Sequence, residues 1–268
     1  VELAENGVTI RATQPRDFYE DNQTHQLNGK EYKVVLSKEE LKQMIDNEED
    51  VTKVVTTFIT DMSRMFYKAE SFNQPIGAWD VSNVTDMTSM FYGAKSFNQP
   101  IASWDVSNVT NMMSMFYEAV SFNQPIGSWS VSNVERMNCM FSDAVSFNQP
   151  IDSWDVSNVM DMSSMFYQAK SFNQPIDSWD VSNVIDMCSM FNGAVSFNQP
   201  IGSWDVSYVT NMCCMFEGAK SFNQQIDSWD VSNGTDMREM FTQSGIRIPI
   251  SWCPESQKIA KENNWNAR

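Results

Sequence analysis

The chain has 268 residues, 34 of them acidic and 18 basic, for a formal net charge of −16. That balance argues against nucleic acid or an anionic membrane surface as a partner, because both require a basic footprint. No apolar run reaches the 18 residues that a spanning helix needs, and a single histidine, His25, leaves almost nothing for imidazole catalysis or a multi-histidine metal site.

Residues 1–56 carry no internal repeat. Val8–Ala12 and Tyr32–Leu36 have strand composition, the second following an Asn28-Gly29 turn signal. Ser37-x-x-Glu40 is a capping box and predicts a helix over Lys38–Asn47, with Leu41 and Ile45 on one face. The segment reads as an N-terminal cap on the residues from 57 onward; a separate binding module is the alternative.

From residue 57 to residue 245 the chain is one pattern copied at a fixed interval of 25. Ser-Phe-Asn-Gln begins at Ser71, Ser96, Ser121, Ser146, Ser171, Ser196 and Ser221. Seven of the nine tryptophans, Trp79 to Trp229, occupy one repeat position, and 16 of the 19 methionines occupy two. A fixed period without insertions is the signature of a solenoid, whose units bury their apolar faces only by stacking. Within a unit, Ile76-x-x-Trp79-x-Val81-x-x-Val84 has the spacing of a leucine-rich-repeat strand, so a short strand is expected at Trp79–Val81 with Trp and Val inward and Asp80 and Ser82 outward. Met87, Met90, Phe91 and Ala94 then come at helical spacing, which predicts one or two helical turns. The fold class expected is thus an α/β repeat solenoid, leucine-rich-repeat-like, of about eight rungs, each a short parallel strand and a short helical turn, capped at both ends. The methionine, phenylalanine and tryptophan columns read as its stacked core.

The string Met-Phe-x-x-Ala-x-Ser-Phe-Asn-Gln-x-Ile-x-x-Trp-Asp-Val-Ser-Asn-Val-Thr-Asp-Met resembles the repeat of BspA-like leucine-rich repeat surface proteins, a repeat also common in mycoplasma lipoproteins. The resemblance covers about Thr57 to Gly245. It implies a right-handed leucine-rich-repeat solenoid at the cell surface or outside the cell, engaged in adhesion or partner binding. It implies no catalytic residues. It also implies an export signal ahead of Val1, where the sequence begins. The pattern is broken at Ser130, Tyr208, Gln225 and Gly234. Residues 246–268 read as a C-terminal cap, with a last strand at Ile248–Trp252 and a helix at Pro254–Asn263.

Residues 61–245 hold 20 acids against 7 bases. Much of that excess is a column of aspartates: Asp80, Asp105, Asp155, Asp180, Asp205 and Asp230. These are weak candidates for divalent cations such as Ca²⁺, or for a basic partner; the competing reading is that each caps a local turn. Two asparagine columns, from Asn73 and from Asn83, are read as ladders between rungs; the second also contains glycosylation acceptor patterns such as Asn83-Val84-Thr85. Five cysteines read as structural thiols. A disulfide between Cys188 and Cys213, at one position on adjacent rungs, is the alternative. Met160 and Ile185 place apolar groups at one varied position, and with Tyr67, Tyr92, Tyr117 and Tyr167 they are candidates for a partner patch, against simple drift. The function expected is a noncatalytic scaffold for a protein or glycan partner. The rival is recognition of an ordered polysaccharide or of ice by the regular surface columns, assisted by cations on the aspartates. No cofactor is called for.

Overall fold

The computed structural model describes residues 1–20, 23–231 and 234–246. The expected C-terminal strand at Ile248–Trp252 and helix at Pro254–Asn263 lie outside the described residues. In the N-terminal region β1 (Glu2–Leu3) pairs antiparallel with β2 (Ile10–Arg11). β3 (Thr24–Leu27) and β4 (Lys30–Val34) form a hairpin, and β5 (Val54–Val55) adds parallel to β4. The hairpin turns on Asn28 and Gly29, both at positive φ (52° and 74°), as a two-residue turn matched to strand twist requires.

Helix α1 spans Lys38–Asp46 and buries Leu41, Met44 and Ile45. The Ser37 hydroxyl accepts the Glu40 N–H at 3.1 Å. The reciprocal bond lands one residue earlier than a capping box prescribes, because the Glu40 carboxylate accepts from Leu36 N–H at 3.0 Å while also pairing with Lys33.

The repeat units are built differently from expectation. Among the described residues beyond Val55 there is neither a helix nor a multi-residue strand. Trp79–Val81 is not a strand: Trp79 N–H closes a turn on Ile76 O and Val84 N–H another on Val81 O, so the residues between lie outside any strand ladder whatever their backbone extension. Parallel pairing falls instead on single residues of the column Asp61, Asp86, Asn111, Arg136, Asp161, Asp186, Asn211 and Asp236. Where helical turns were expected, the backbone alternates. The N–H groups of Met87, Ser89, Phe91 and Gly93 donate to the carbonyls of Asn111, Met113, Met115 and Tyr117 in the next unit, at 2.7–3.0 Å. The intervening N–H groups of Met90, Tyr92 and Ala94 donate three residues back.

Turns of this kind advance inward-facing side chains by three or four residues, which is why the sequence imitates helical spacing. Half of the N–H groups are committed to the neighbouring unit, so an α-helix has none to spare for its own ladder. Two of the three turns carry a positive φ at their third residue, Ser89 (54°) and Gly93 (67°), the mark of a type II turn. The column of Gly93 also holds Lys68, Glu118, Asp143 and Gln168 at positive φ.

The side chains complete the stacking. Phe66, Phe91, Phe116, Phe141, Phe166, Phe191, Phe216 and Phe241 stack face to face at 5.0–5.9 Å. A second column from Phe72 to Phe222 repeats at 5.7–6.1 Å. Each tryptophan from Trp79 to Trp229 is buried and donates its indole N–H, at 2.9–3.2 Å, to a carbonyl 28 residues earlier. That bond satisfies the one polar atom of an otherwise apolar column. Trp79 and Val81 do point inward, though not from a strand. The core runs unbroken from α1 and Val51 through Met65 and Phe141 to Phe241, so the N-terminal helix packs on the first unit as its cap.

Candidate functional site

The aspartate column serves its own turns. In Asp105, Asp155 and Asp180 the Oδ1 accepts both the N–H (3.1 Å) and the hydroxyl (2.6 Å) of the serine two residues on. Asp205 accepts the N–H of Ser207. These bonds favour the charged form, and the serine hydroxyl and amide hold Asp155 and Asp205 below the usual carboxylate range. Asp105, Asp155, Asp180, Asp205 and Asp230 are exposed, as expected. Asp80 is not: the N-terminal segment lies over it, with Ile10 N–H on Ala78 O at 2.9 Å, and its Oδ2 accepts Thr57 Oγ1–H at 2.6 Å. Among the described residues no three His, Cys, Asp or Glu side chains converge as cation ligands.

The asparagines bind unit to unit. Nδ2 of Asn83, Asn108, Asn133, Asn158 and Asn183 donates to the carbonyls of Thr57, Ser82, Ser107, Ser132 and Ser157 at 2.7–2.8 Å. The nitrogen that an N-linked glycan would occupy at Asn83 or Asn108 is thus already engaged. In the first column the Oδ1 of Asn73 accepts the Asn98 N–H and the Gln99 amide, and the pattern repeats to Asn223.

Tyr67, Tyr92 and Tyr117 stack on one another at 4.9 and 4.4 Å. Tyr167 stands two units beyond Tyr117, across the buried Ser142. Burial, then Tyr92 and the carboxylates of Asp143 and Glu118, push the Tyr117 hydroxyl up to about 12, so it stays protonated. Asp143 itself is raised, first by burial and then by Glu118. A carboxyl whose folded pKa lies above its unfolded value loses stability as pH rises through the folded pKa. Asp143 also sits at a φ of 56°, which asparagine tolerates well. Asp143→Asn is therefore expected to raise stability at neutral pH by about 0.5 kcal/mol after solvent screening. The gain should shrink below a pH of about 4, where both states protonate. Thermal melts of the two proteins on either side of that pH check it, and an equal gain at both would assign the effect to the backbone.

Cys188 and Cys213 form a disulfide with a Cα–Cα distance of 4.7 Å. This is the pairing offered from the sequence as the alternative to unpaired thiols, and the parallel stacking of the two units brings it within bonding reach. Cys139 and Cys214 are free and half-buried. Burial pushes the Cys139 thiol up, and burial with Glu217 pushes Cys214 to about 11, which leaves neither as a thiolate at neutral pH. Cys253 lies outside the described residues.

Met160 and Ile185 are joined rung to rung, Ile185 N–H donating to Met160 O at 2.9 Å, and are 43% and 49% exposed. Other members of the column are Thr85, Thr110, Glu135 and Thr210. In the following unit Tyr208, standing where the repeat has asparagine, is 72% exposed. Three large apolar side chains on three consecutive units thus face solvent, and the first of them, Met160, also lines a groove of about 550 Å³ with Asn108, Thr110, Asn133, Glu135 and Asn158. Sequence reasoning names the first two and misses Tyr208 as their companion, although its break with the asparagine column is the signal. The tyrosines expected to join them occupy a separate column, seven residues further along each unit.

A family model described as "Mycoplasma protein of unknown function, DUF285" matches residues 37–154 and 140–247. The two stretches together run from α1 to the end of the repeats. The chain belongs to this family. As a DUF285 member it is a repeat protein, and the matched stretches overlap inside the repeat array. No match was found among curated proteins or among solved structures.

Proposed function

We propose that this chain is a noncatalytic repeat scaffold, an exported or cell-surface solenoid of leucine-rich-repeat type, that binds a protein or glycan partner in adhesion. The observation that carries the reading is the cluster of Met160, Ile185 and Tyr208. Met160 and Ile185 stand in a column that otherwise holds threonine or glutamate, and Tyr208 in one that otherwise holds asparagine, so three consecutive units depart toward exposed apolar groups. Exposed apolar clusters rimmed by polar side chains mark interaction sites, and an exposed aromatic among them is a usual anchor for a protein or a sugar ring.

The test restores the repeat's own residues: Met160→Thr, Ile185→Thr and Tyr208→Asn together. All three side chains are exposed, so each change should cost within about 0.5 kcal/mol. Partner capture from the native surface environment and signals on a glycan array are expected to fall to background while the melting temperature holds. Retained capture by the folded triple variant would remove the cluster as the site. The regular threonine and asparagine columns favour a second reading, recognition of an ordered polysaccharide or of ice, which thermal hysteresis and array binding unaffected by the triple variant would identify.

A further inference from the structure

In the second phenylalanine column every member from Phe97 to Phe197 is fully buried, each ring covered by rings of the units on either side. Phe72, the first member, is only half-buried. One period earlier the chain has Asn47, the residue that caps α1, and no ring continues the stack. A cavity of about 560 Å³ opens there instead, lined by Ile45 and Phe72 and bordered by Asp46, Glu48, Glu70 and Lys68. Asp46 is paired with Lys42, Glu70 with Lys95, and Lys68 lies over the Tyr67 ring. Glu48 has no ion pair among the described residues.

Glu48 comes directly after the helix cap with a φ of 58°, a left-handed conformation that glycine or asparagine normally fills at that place. The carbonyls of Gln43, Met44 and Ile45 accept the N–H groups of Asn47, Glu49 and Glu48, but the last turn of α1 carries no basic residue to offset the negative end of the helix. The cavity therefore combines a partly buried aromatic ring, an exposed carboxylate without an ion pair held at a conformational cost, and a helix end that favours a cation.

We propose that this cavity binds a small arylalkyl ammonium ligand. Its ring would continue the phenylalanine stack on Phe72, and its ammonium would sit between Glu48 and the carbonyl end of α1. A ring alone would gain nothing from the carboxylate, and an aliphatic cation would leave the phenylalanine face wet; the two features select one ligand class together.

Phenethylamine is the probe, titrated into the full chain while the Ile45 methyl and Phe72 ring signals are followed by NMR. Saturable ring-current shifts at both residues are expected in the millimolar range. 3-Phenylpropionate, with the same ring and the opposite charge, should produce none. Glu48→Gln should weaken the amine by about fivefold. Glu48→Gly should weaken it equally while raising the melting temperature, because glycine relieves the left-handed backbone. No shift at Ile45, equal binding of 3-phenylpropionate, or unchanged affinity in both Glu48 variants would each overturn the proposal.

Discussion

Phe141→Ala is expected to cost about 3–5 kcal/mol, the range for deleting a fully buried aromatic ring. The ring lies between Phe116 and Phe166, each at 5.7 Å, and stacks on Phe147 at 4.0 Å. Its backbone cannot follow the lost volume inward. Phe141 N–H is fixed to Met165 O and its carbonyl takes Ala144 N–H, so the cavity stays open and both neighbouring units lose contact. In a stacked array, stability is close to a sum of unit and interface contributions, and a central lesion weakens two interfaces at once. Urea unfolding followed by tryptophan fluorescence should show an earlier midpoint and a broader or split transition, as the two halves of the array uncouple. Phe72→Ala, half-exposed at the end of its column, should cost roughly half as much. A Phe141 variant no weaker than the Phe72 variant would mean that the units are not coupled through their rings.

The inward positions were legible because burial acts identically on every unit. Trp79, Val81, Met87, Met90, Phe91 and Ala94 are all buried, and the backbone bonds between units recur every 25 residues along the chain. What the sequence did not reveal was the backbone between those positions. Residues at steps of three and one fit an α-helix and a run of tight turns equally well, and only the destination of alternate N–H groups separates the two. The strand at Trp79–Val81 failed for a similar reason. Period-two alternation is also produced by an Asp whose carboxylate closes a turn on the Ser two residues later, as Asp105 does with Ser107. The burial of Asp80 was beyond reach because it depends on where residues 1–12 fold back. The exposed cluster was half-legible. Met160 and Ile185 share a column, but Tyr208 belongs to another, and its exposure on the next unit follows only from the fold.

Breaking the Cys188–Cys213 bond is expected to lower stability by about 3 kcal/mol. The bond closes a loop of 25 residues, and a loop of that size limits the unfolded ensemble by roughly 3–3.5 kcal/mol in the chain-entropy model. In the folded state the same two units are already joined by Met187 N–H on Asn211 O and Ser189 N–H on Cys213 O, both at 2.8 Å. The native geometry therefore does not depend on the bond, and its removal should act mainly by freeing the unfolded chain. Serine is the proper replacement, since Ser163 occupies the same column one unit earlier. Cys214, adjacent in sequence, does not compromise the comparison: with its thiol near 11 it is scarcely ionised at neutral pH and exchanges poorly with the bond. Urea midpoints of the natural chain should fall on reduction to the level of the Cys188→Ser/Cys213→Ser protein, which should itself be indifferent to reductant. A natural chain whose midpoint ignores reductant would show that the two thiols are not bonded, or that the stacked units restrain the unfolded chain without them; a thiol count on the denatured, unreduced protein separates the two.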